Sequence, residues 1–296
     1  MNVKKQTNPA KKEIKLTNPD KLMVGSVTKM EILNYYKKAA SYMMPYFEKR
    51  NLSLVACPKG LEQGCYFRKN LNSGIGSESS EKQPIIFTKP EDIFEAVQNN
   101  TVEFHGFGSI HGKGGKTVNN DEAADGKPDV MVFDLDPGEG VGQAAVHQGV
   151  RDLKSILDEL NLKSFLKTSG NKGYHIYIPI KPMKDWERFI DFSRAVAELM
   201  QTKWPNKYTS NVRLEHRNGK IFVDWLRNGR GATCVLPFSI RAKPGAKVSM
   251  PIYWHELARI APDSISIEKA LARIKNYPES DPWADFFEVQ KLQGIG

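Results

Sequence analysis

One stretch constrains the fold of this chain more than any other: Val130-Met131-Val132-Phe133-Asp134-Leu135-Asp136, stopped by Pro137-Gly138. The unbroken apolar run reads as a β-strand covered on both faces. Its two acids are spaced i, i+2, so they share one face of the strand, about 6.6 Å apart at Cα. Carboxylates so placed repel each other and lose solvation, which is costly without a compensating cation. A divalent metal resolves the conflict, or two metals ~3.5–4 Å apart bridged by the acids. Ligands that are all oxygen favour Mg²⁺ or Mn²⁺ over zinc. The competing explanation is an exposed turn, because Asp before Pro-Gly is common turn chemistry.

Asp224 offers a third carboxylate. It follows the apolar run Ile221-Phe222-Val223 and precedes Trp225. An acid inside an apolar strand needs a partner, and Arg227 or Arg230 would serve as well as a metal. Lys167-Thr168-Ser169-Gly170-Asn171-Lys172-Gly173 is a second constellation. Its glycines let backbone N–H groups approach an anion, Lys172 adds charge and Ser169 a hydroxyl, which suits a triphosphate. Taken alone, the segment fits a plain hairpin turn with a surface lysine slightly better. Arg227 and Arg241 flank the Thr233–Phe238 segment, and an arginine fork binds phosphate or simply faces solvent. His105 could donate to a phosphate or be structural. Tyr66, Phe67 and Lys69 have the composition of a base-stacking platform, or of two core aromatics beside a lysine.

Strands and helices intersperse along the chain, so the class is mixed α/β, or α+β. Thr28 to Arg50 is predicted largely helical, opened by a capping box at Thr28 and Glu31 and kinked or interrupted by Pro45. Leu52 to Cys57 and Cys65 to Phe67 are predicted strands, and Pro90 to Gln98 a short helix. Amphipathic helices are expected around Val146 to Leu160 and from Trp186 to Met200. Phe165–Ser169, Tyr174–Ile178, Ile221–Leu226 and Thr233–Phe238 read as further strands, with helical segments after Trp254. Residues 1–12 read as a flexible basic tail and residues 13–296 as a single domain. The stretches Asn70–Pro84 and His111–Lys127 are polar, Gly-rich loops.

Composition narrows the function classes. The 296 residues carry a net charge of +9, which points weakly to a polyanionic partner. No run reaches the ~18 apolar residues of a membrane span, and the Lys-rich start is not a secretory signal. The three cysteines, Cys57, Cys65 and Cys234, are an odd number with no CxxC spacing. A disulfide framework is therefore not expected, and a reducing cytoplasm is. Gly112 to Thr117 resembles the end of a phosphate-binding Walker loop, but Ile110 stands where its first glycine belongs. His111 likewise breaks the dinucleotide fingerprint begun by Gly106-Phe107-Gly108, and there is no Gly-x-Ser-x-Gly elbow.

Five stretches together carry a family likeness. They are Leu16 to Lys21, Val132 to Gly138, Lys167 to Gly173, Phe222 to Thr233 and Phe238 to Ala246. In this order they resemble the polymerase domain of bacterial ligase D, within the archaeo-eukaryotic primase superfamily. The resemblance implies a primase-type core: two β-sheets around a central active-site cleft, with flanking helices. It implies that Asp134, Asp136 and Asp224 are the catalytic acids that hold two Mn²⁺ or Mg²⁺ ions. His105, Ser169, Lys172 and Arg241 match positions that contact the incoming triphosphate, and Arg227 lies near the same site. Asn18, Lys21 and Lys29 match a pocket for a 5′-phosphate, and Tyr66, Phe67 and Lys69 fall where template is contacted. The chain departs from the family at His105-Gly106-Phe107, where His-Pro-Trp is common.

The implied activity is templated addition of NTP or dNTP, with ribonucleotides often preferred. The implied substrates are gaps and double-strand break ends bearing a 5′-phosphate, and the implied partners are Ku and an ATP-dependent DNA ligase. Two alternatives stand beside this: a primase-polymerase that starts chains de novo, and a non-catalytic module that binds DNA ends.

Overall fold

The computed structural model describes residues 15–70, 83–110 and 126–292. The basic tail, the Walker-like stretch and most of both Gly-rich loops lie outside the described residues. A hairpin of β1 (Leu22–Val24) and β2 (Val27–Thr28) leads into α1 (Lys29–Phe47). Next come β3 (Arg50–Ala56), β4 (Tyr66–Arg68), α2 (Pro90–Gln98), β5 (Thr101–Ile110) and β6 (Lys127–Pro128). The second half alternates: β7 (Val130–Pro137), α3 (Gln143–Glu159), β8 (Phe165–Thr168), β9 (Tyr174–Pro179) and α4 (Trp186–Lys203). It closes with β10 (Tyr208–Thr209), β11 (Ile221–Asp224), β12 (Thr233–Val235), β13 (Pro251–Ile252) and α5 (Ile267–Lys275).

The strands form two main sheets. One has six strands in the order β10-β11-β7-β9-β8-β13, and the other runs β12-β5-β3-β4 with β6 added to β5. β7 sits inside the larger sheet, paired antiparallel to β11 and to β9. Its odd residues Met131, Phe133 and Leu135 join one core with α3 and α4, through Val150, Leu153, Val196 and Met200. Its even residues Val130 and Val132 join the other core, which also takes in α1 and the second sheet. The mixed α/β class and the two-sheet arrangement expected from the sequence are both present.

Several boundaries differ from expectation, each for a local reason. The capping box forms, with the Thr28 hydroxyl accepting from the Glu31 N–H, but α1 ends at Phe47. Lys49 takes a left-handed φ of +54°, and Arg50 already begins β3. Pro45 does not interrupt the helix; it lies in the last turn, two residues before the helix ends at Phe47. The strand predicted to Leu226 stops at Asp224, whose carboxylate accepts from the Leu226 N–H at 3.0 Å and turns the chain into a 3₁₀ helix. The strand predicted to Phe238 stops at Val235, and Phe238 itself has φ +64°.

β5 went unpredicted although it is ten residues long. Glu103, His105, Gly106 and Gly108 break its apolar alternation. The Gly106 position is filled from outside: a Cβ there would lie 2.7 Å from Leu236 Cδ2 and 3.0 Å from Arg50 Cδ. Cys57 and Cys65 form a disulfide, against the expectation from cysteine count. Antiparallel pairing of Ala56 with Tyr66 brings the two ends of the turn together, leaving these cysteines 4.3 Å apart at Cα.

Candidate active site

The even face of β7 that packs apolar at Val130 and Val132 continues past the core edge as Asp134 and Asp136. Register then places a polar row across four strands. Asp224 on β11 lies opposite Asp134, Asp134 opposite His175 on β9, and His175 opposite Lys167 on β8. The exposed-turn alternative for Asp134 fails, because the residue is buried within the sheet. Asp134 and Asp136 face a cleft of about 560 Å³ shared with His105, Ser169, Lys172, Arg227 and Arg241. Seven of the eight residues expected to act on metal or nucleotide therefore line one cavity, and Asp224 adjoins it through Arg227.

The three carboxylates are held at a cost. Burial pushes Asp134 above the ordinary carboxylate range, against the pull of the Arg227, Lys167 and Arg241 cations. Burial and then the Asp134 charge raise Asp136 to about 6. Asp224 also rises to about 6, through burial and then repulsion from Asp134 and Asp136, with Arg227 opposing. Arg227 Nε pairs with Asp224 Oδ2 at 3.0 Å, and His175 Nε2 lies 3.4 Å from Asp134 Oδ2. Asn228 fixes the turn that carries Arg227: where β11 has ended, its side chain bonds both the N–H and the C=O of Val132, at 2.7 and 2.8 Å.

The donor set fits a divalent cation. It is all carboxylate oxygen, grouped so closely that burial and mutual repulsion favour protonation, and a bound cation reverses that penalty. Among the described residues no three acids, histidines or cysteines already converge on one point. Asp224 is turned to Arg227 instead, so Arg227 acts as counter-ion to the acids in this state.

Beside the acids, the turn between β8 and β9 brings glycine backbone, Ser169 and Lys172 to the cleft. Gly170 has φ +69°, and a Cβ on it would stand 2.7 Å from Arg241 Cγ. The Ser169 hydroxyl oxygen accepts from the N–H groups of Asn171 and Gly173, at 3.1 and 3.2 Å. Its own proton is not used in either bond. Arg241 Nη1 donates to Ser169 C=O at 2.5 Å, tying the turn to the segment after β12.

His105 lies on β5 in the second sheet, opposite Val235 of β12. Phe67 meets its ring edge-on, with centroids 5.3 Å apart. Phe67 and Tyr66 are 56% and 42% exposed, which rules out the core reading of both, and Lys69 is exposed beside them.

Asn18, Lys21 and Lys29 gather apart from the cleft, at the start of α1. Lys29 is buried, and its ammonium donates to the carbonyls of Thr17 and Gln98 at 3.1 and 2.7 Å. Lys21 donates to Pro58 C=O and to Asn100 Oδ1. Burial lowers both ammonium pKa values, and the Lys21 charge lowers that of Lys29 further. Neither ammonium pairs with a carboxylate among the described residues, so two cations adjoin with no counter-ion.

Sequence reasoning missed Glu103, the acid beneath His105 and Arg241. It also gave no role to Lys167, His175 and Cys234, a buried group behind Asp134. Lys167 Nζ lies 2.9 Å from His175 Nδ1, and Cys234 Sγ 3.2 Å from the same atom. Burial lowers Lys167 to about 7. The available signal was periodicity: Glu103 stands two before His105, and Lys167 and His175 sit at alternate positions among apolar residues.

Comparison with known proteins places the chain in a family. A family model described as LigD, primase-polymerase domain, matches residues 28–283. The multifunctional non-homologous end joining protein LigD of Pseudomonas aeruginosa is 29% identical over 92% of the chain, which spans 33% of that protein. The bifunctional non-homologous end joining protein LigD of Bacillus subtilis is 25% identical over 96% of the chain and 46% of its own length. The chain thus spans less than half the length of these relatives. Among solved structures, the polymerase domain from Mycobacterium tuberculosis ligase D in complex with DNA superposes with TM-score 0.79. It is 27% identical and the match covers 92% of this chain and 96% of that one. A domain-length family match and a superposable fold lead to one assignment: this chain belongs to the LigD primase-polymerase domain family of nucleotidyltransferases.

Proposed function

We propose that this chain extends DNA 3′ ends and fills gaps at double-strand breaks by templated nucleotide addition, with ribonucleotides favoured, and that residues 13–296 act as one domain. The observation that carries the reading is the cleft itself. Asp134 and Asp136 share it with Lys172, Arg241, Ser169 and His105, four groups able to donate to a triphosphate. In the reaction a primer 3′-oxygen attacks the α-phosphorus of a nucleoside triphosphate. The bond from α-phosphorus to the bridging oxygen breaks, pyrophosphate leaves and the hydroxyl proton passes to solvent.

Asp134, Asp136 and Asp224 are the residues assigned to hold two Mn²⁺ or Mg²⁺ ions. Such ions, when bound, lower the pKa of the attacking hydroxyl and offset charge on the leaving group. Lys172 and Arg241 orient the triphosphate and balance its charge, and Ser169 and His105 donate to its oxygens. Arg227, released from Asp224, can turn to the same anion. Phe67 and Tyr66 offer exposed faces for template bases, with Lys69 beside them. Asn18, Lys21 and Lys29 are assigned to the 5′-phosphate at the far side of a gap. The relatives' names support a place in end joining, which implies Ku and an ATP-dependent ligase as partners and the cytoplasm as the compartment. Among the described residues no helix is long and apolar enough to cross a membrane.

The test is single-nucleotide addition on a gapped duplex with a 5′-phosphate, offering NTP or dNTP with Mn²⁺. Templated addition by the wild type is expected, with a loss of at least about 10³-fold in Asp134→Ala, the scale of removing metal-based charge stabilisation. Binding of the DNA should persist in that variant. Undiminished addition by Asp134→Ala would remove the metal assignment.

A further inference from the structure

Glu103 lies almost wholly inside the protein, 4% exposed, yet it makes no contact with the core that would require a charge. All its partners belong to the nucleotide side of the cleft. Oε1 takes a 2.6 Å bond from His105 Nε2 and stands 3.0 Å from Arg241 Nε. Oε2 accepts from the backbone N–H of Ala242 at 2.7 Å. One carboxylate on β5 therefore fixes two groups that come from different parts of the chain and face the same ligand. His105 Nδ1, on the other side of the ring, is buried and has no hydrogen-bond partner among the described residues.

The chemistry of the imidazole gives this arrangement a direction. An ionised carboxylate only accepts, so Nε2 carries the hydrogen. With one proton on the ring, Nδ1 is a bare acceptor and repels a phosphate oxygen. With two, both nitrogens donate, Nε2 to Glu103 and Nδ1 to any acceptor that comes within reach. The charged groups around the ring are Glu103 beside it on β5, Arg241 after β12 and Lys167 on β8, with the Phe67 ring from β4 against its edge. Glu103 alone among them favours the imidazolium. Its own pKa is held at about 2 by His105, Arg241 and the Ala242 N–H, against burial. Burial holds the His105 pKa below its ordinary value, against the pull of Glu103.

We propose that Glu103 is a positioning residue that makes nucleotide binding proton-linked: an arriving triphosphate charges His105, Glu103 balances that charge, and Nδ1 donates to the phosphate while Arg241 is held in line. This rests on the assignment of the cleft to a nucleoside triphosphate and deepens it.

The experiment is calorimetric titration of ATP with Mn²⁺ into the full chain at neutral pH, in two buffers of different ionisation enthalpy. Wild type is expected to take up close to one proton per ATP, about the change of a single histidine. Glu103→Gln should bind ATP about tenfold more weakly, the effect of one lost charge-assisted hydrogen bond, and should lose the proton uptake. Glu103→Asp, which keeps the charge on a shorter stem, should keep the uptake and recover part of the affinity. It also serves if the amide variant does not fold. In a His105→Ala background the Glu103→Gln effect should shrink, since the two act together. Wild-type ATP affinity and uptake in Glu103→Gln would overturn the inference alone. A wild-type protein that binds no ATP would overturn the cleft assignment and this inference with it.

Discussion

The carboxylates of the cleft work against stability until a cation arrives. Asp136 and Asp224 have folded pKa values of about 6, above the ordinary value of 3.8. Between those limits the native state binds more protons than the unfolded state, so their contribution to stability falls as pH rises from about 4 to about 6. Above that window the metal-free protein carries the whole penalty. Asp136→Asn should therefore raise the melting temperature of metal-free protein near neutral pH by about 2–4 °C, equivalent to ~1 kcal/mol in a domain of this size. The same variant should lose most of the stabilisation that Mn²⁺ gives the wild type. Thermal melts with and without Mn²⁺ test both parts, and a lower melting temperature without metal would contradict the reading. Proton competition also predicts that apparent Mn²⁺ affinity drops below about pH 6 as these two acids protonate.

At the scale of elements, two short devices hold functional side chains in place. Thr28 and Glu31 close the capping box of α1, whose first residue is Lys29. Thr28→Ala should destabilise the protein by ~1 kcal/mol, measured by denaturant unfolding, and loosen the grip on a 5′-phosphate. Gly170 stands at φ +69° against Arg241. Gly170→Ala adds left-handed strain of roughly 1–2 kcal/mol and presses on the Arg241 side chain. The expected kinetic signature is a raised KM for the nucleotide with a smaller change in kcat. Steady-state addition assays would show it, and an unchanged KM would separate the turn from nucleotide binding. Both devices were readable in sequence, because capping boxes and Gly-rich turns are local. β5 was not, since two glycines, an acid and a histidine obscure its alternation, and its pairing with β3 and β12 is remote in sequence.

The whole molecule is a basic body in which the acids of the cleft are concentrated at one place. Its net charge of +9 predicts DNA binding that weakens steeply with salt. Lys29→Ala should reduce the slope of log affinity against log salt by about 1 on gapped DNA with a 5′-phosphate, and leave it unchanged without that phosphate. Fluorescence anisotropy at several salt concentrations measures this directly; equal slopes on both substrates would remove Lys29 from the pocket. Sequence alone determined the elements whose causes are local. The β7 run with its two acids, the capped α1, the helix at Pro90 and the Gly170 turn were all legible, because period, caps and turn residues act over a few positions. Tertiary structure decided the rest. Only sheet register sets Asp224, Asp134, His175 and Lys167 in one row, and only the docking of the second sheet brings Glu103 beneath both His105 and Arg241. Those contacts join residues up to 139 positions apart, and no local pattern encodes a distance that chain folding alone closes.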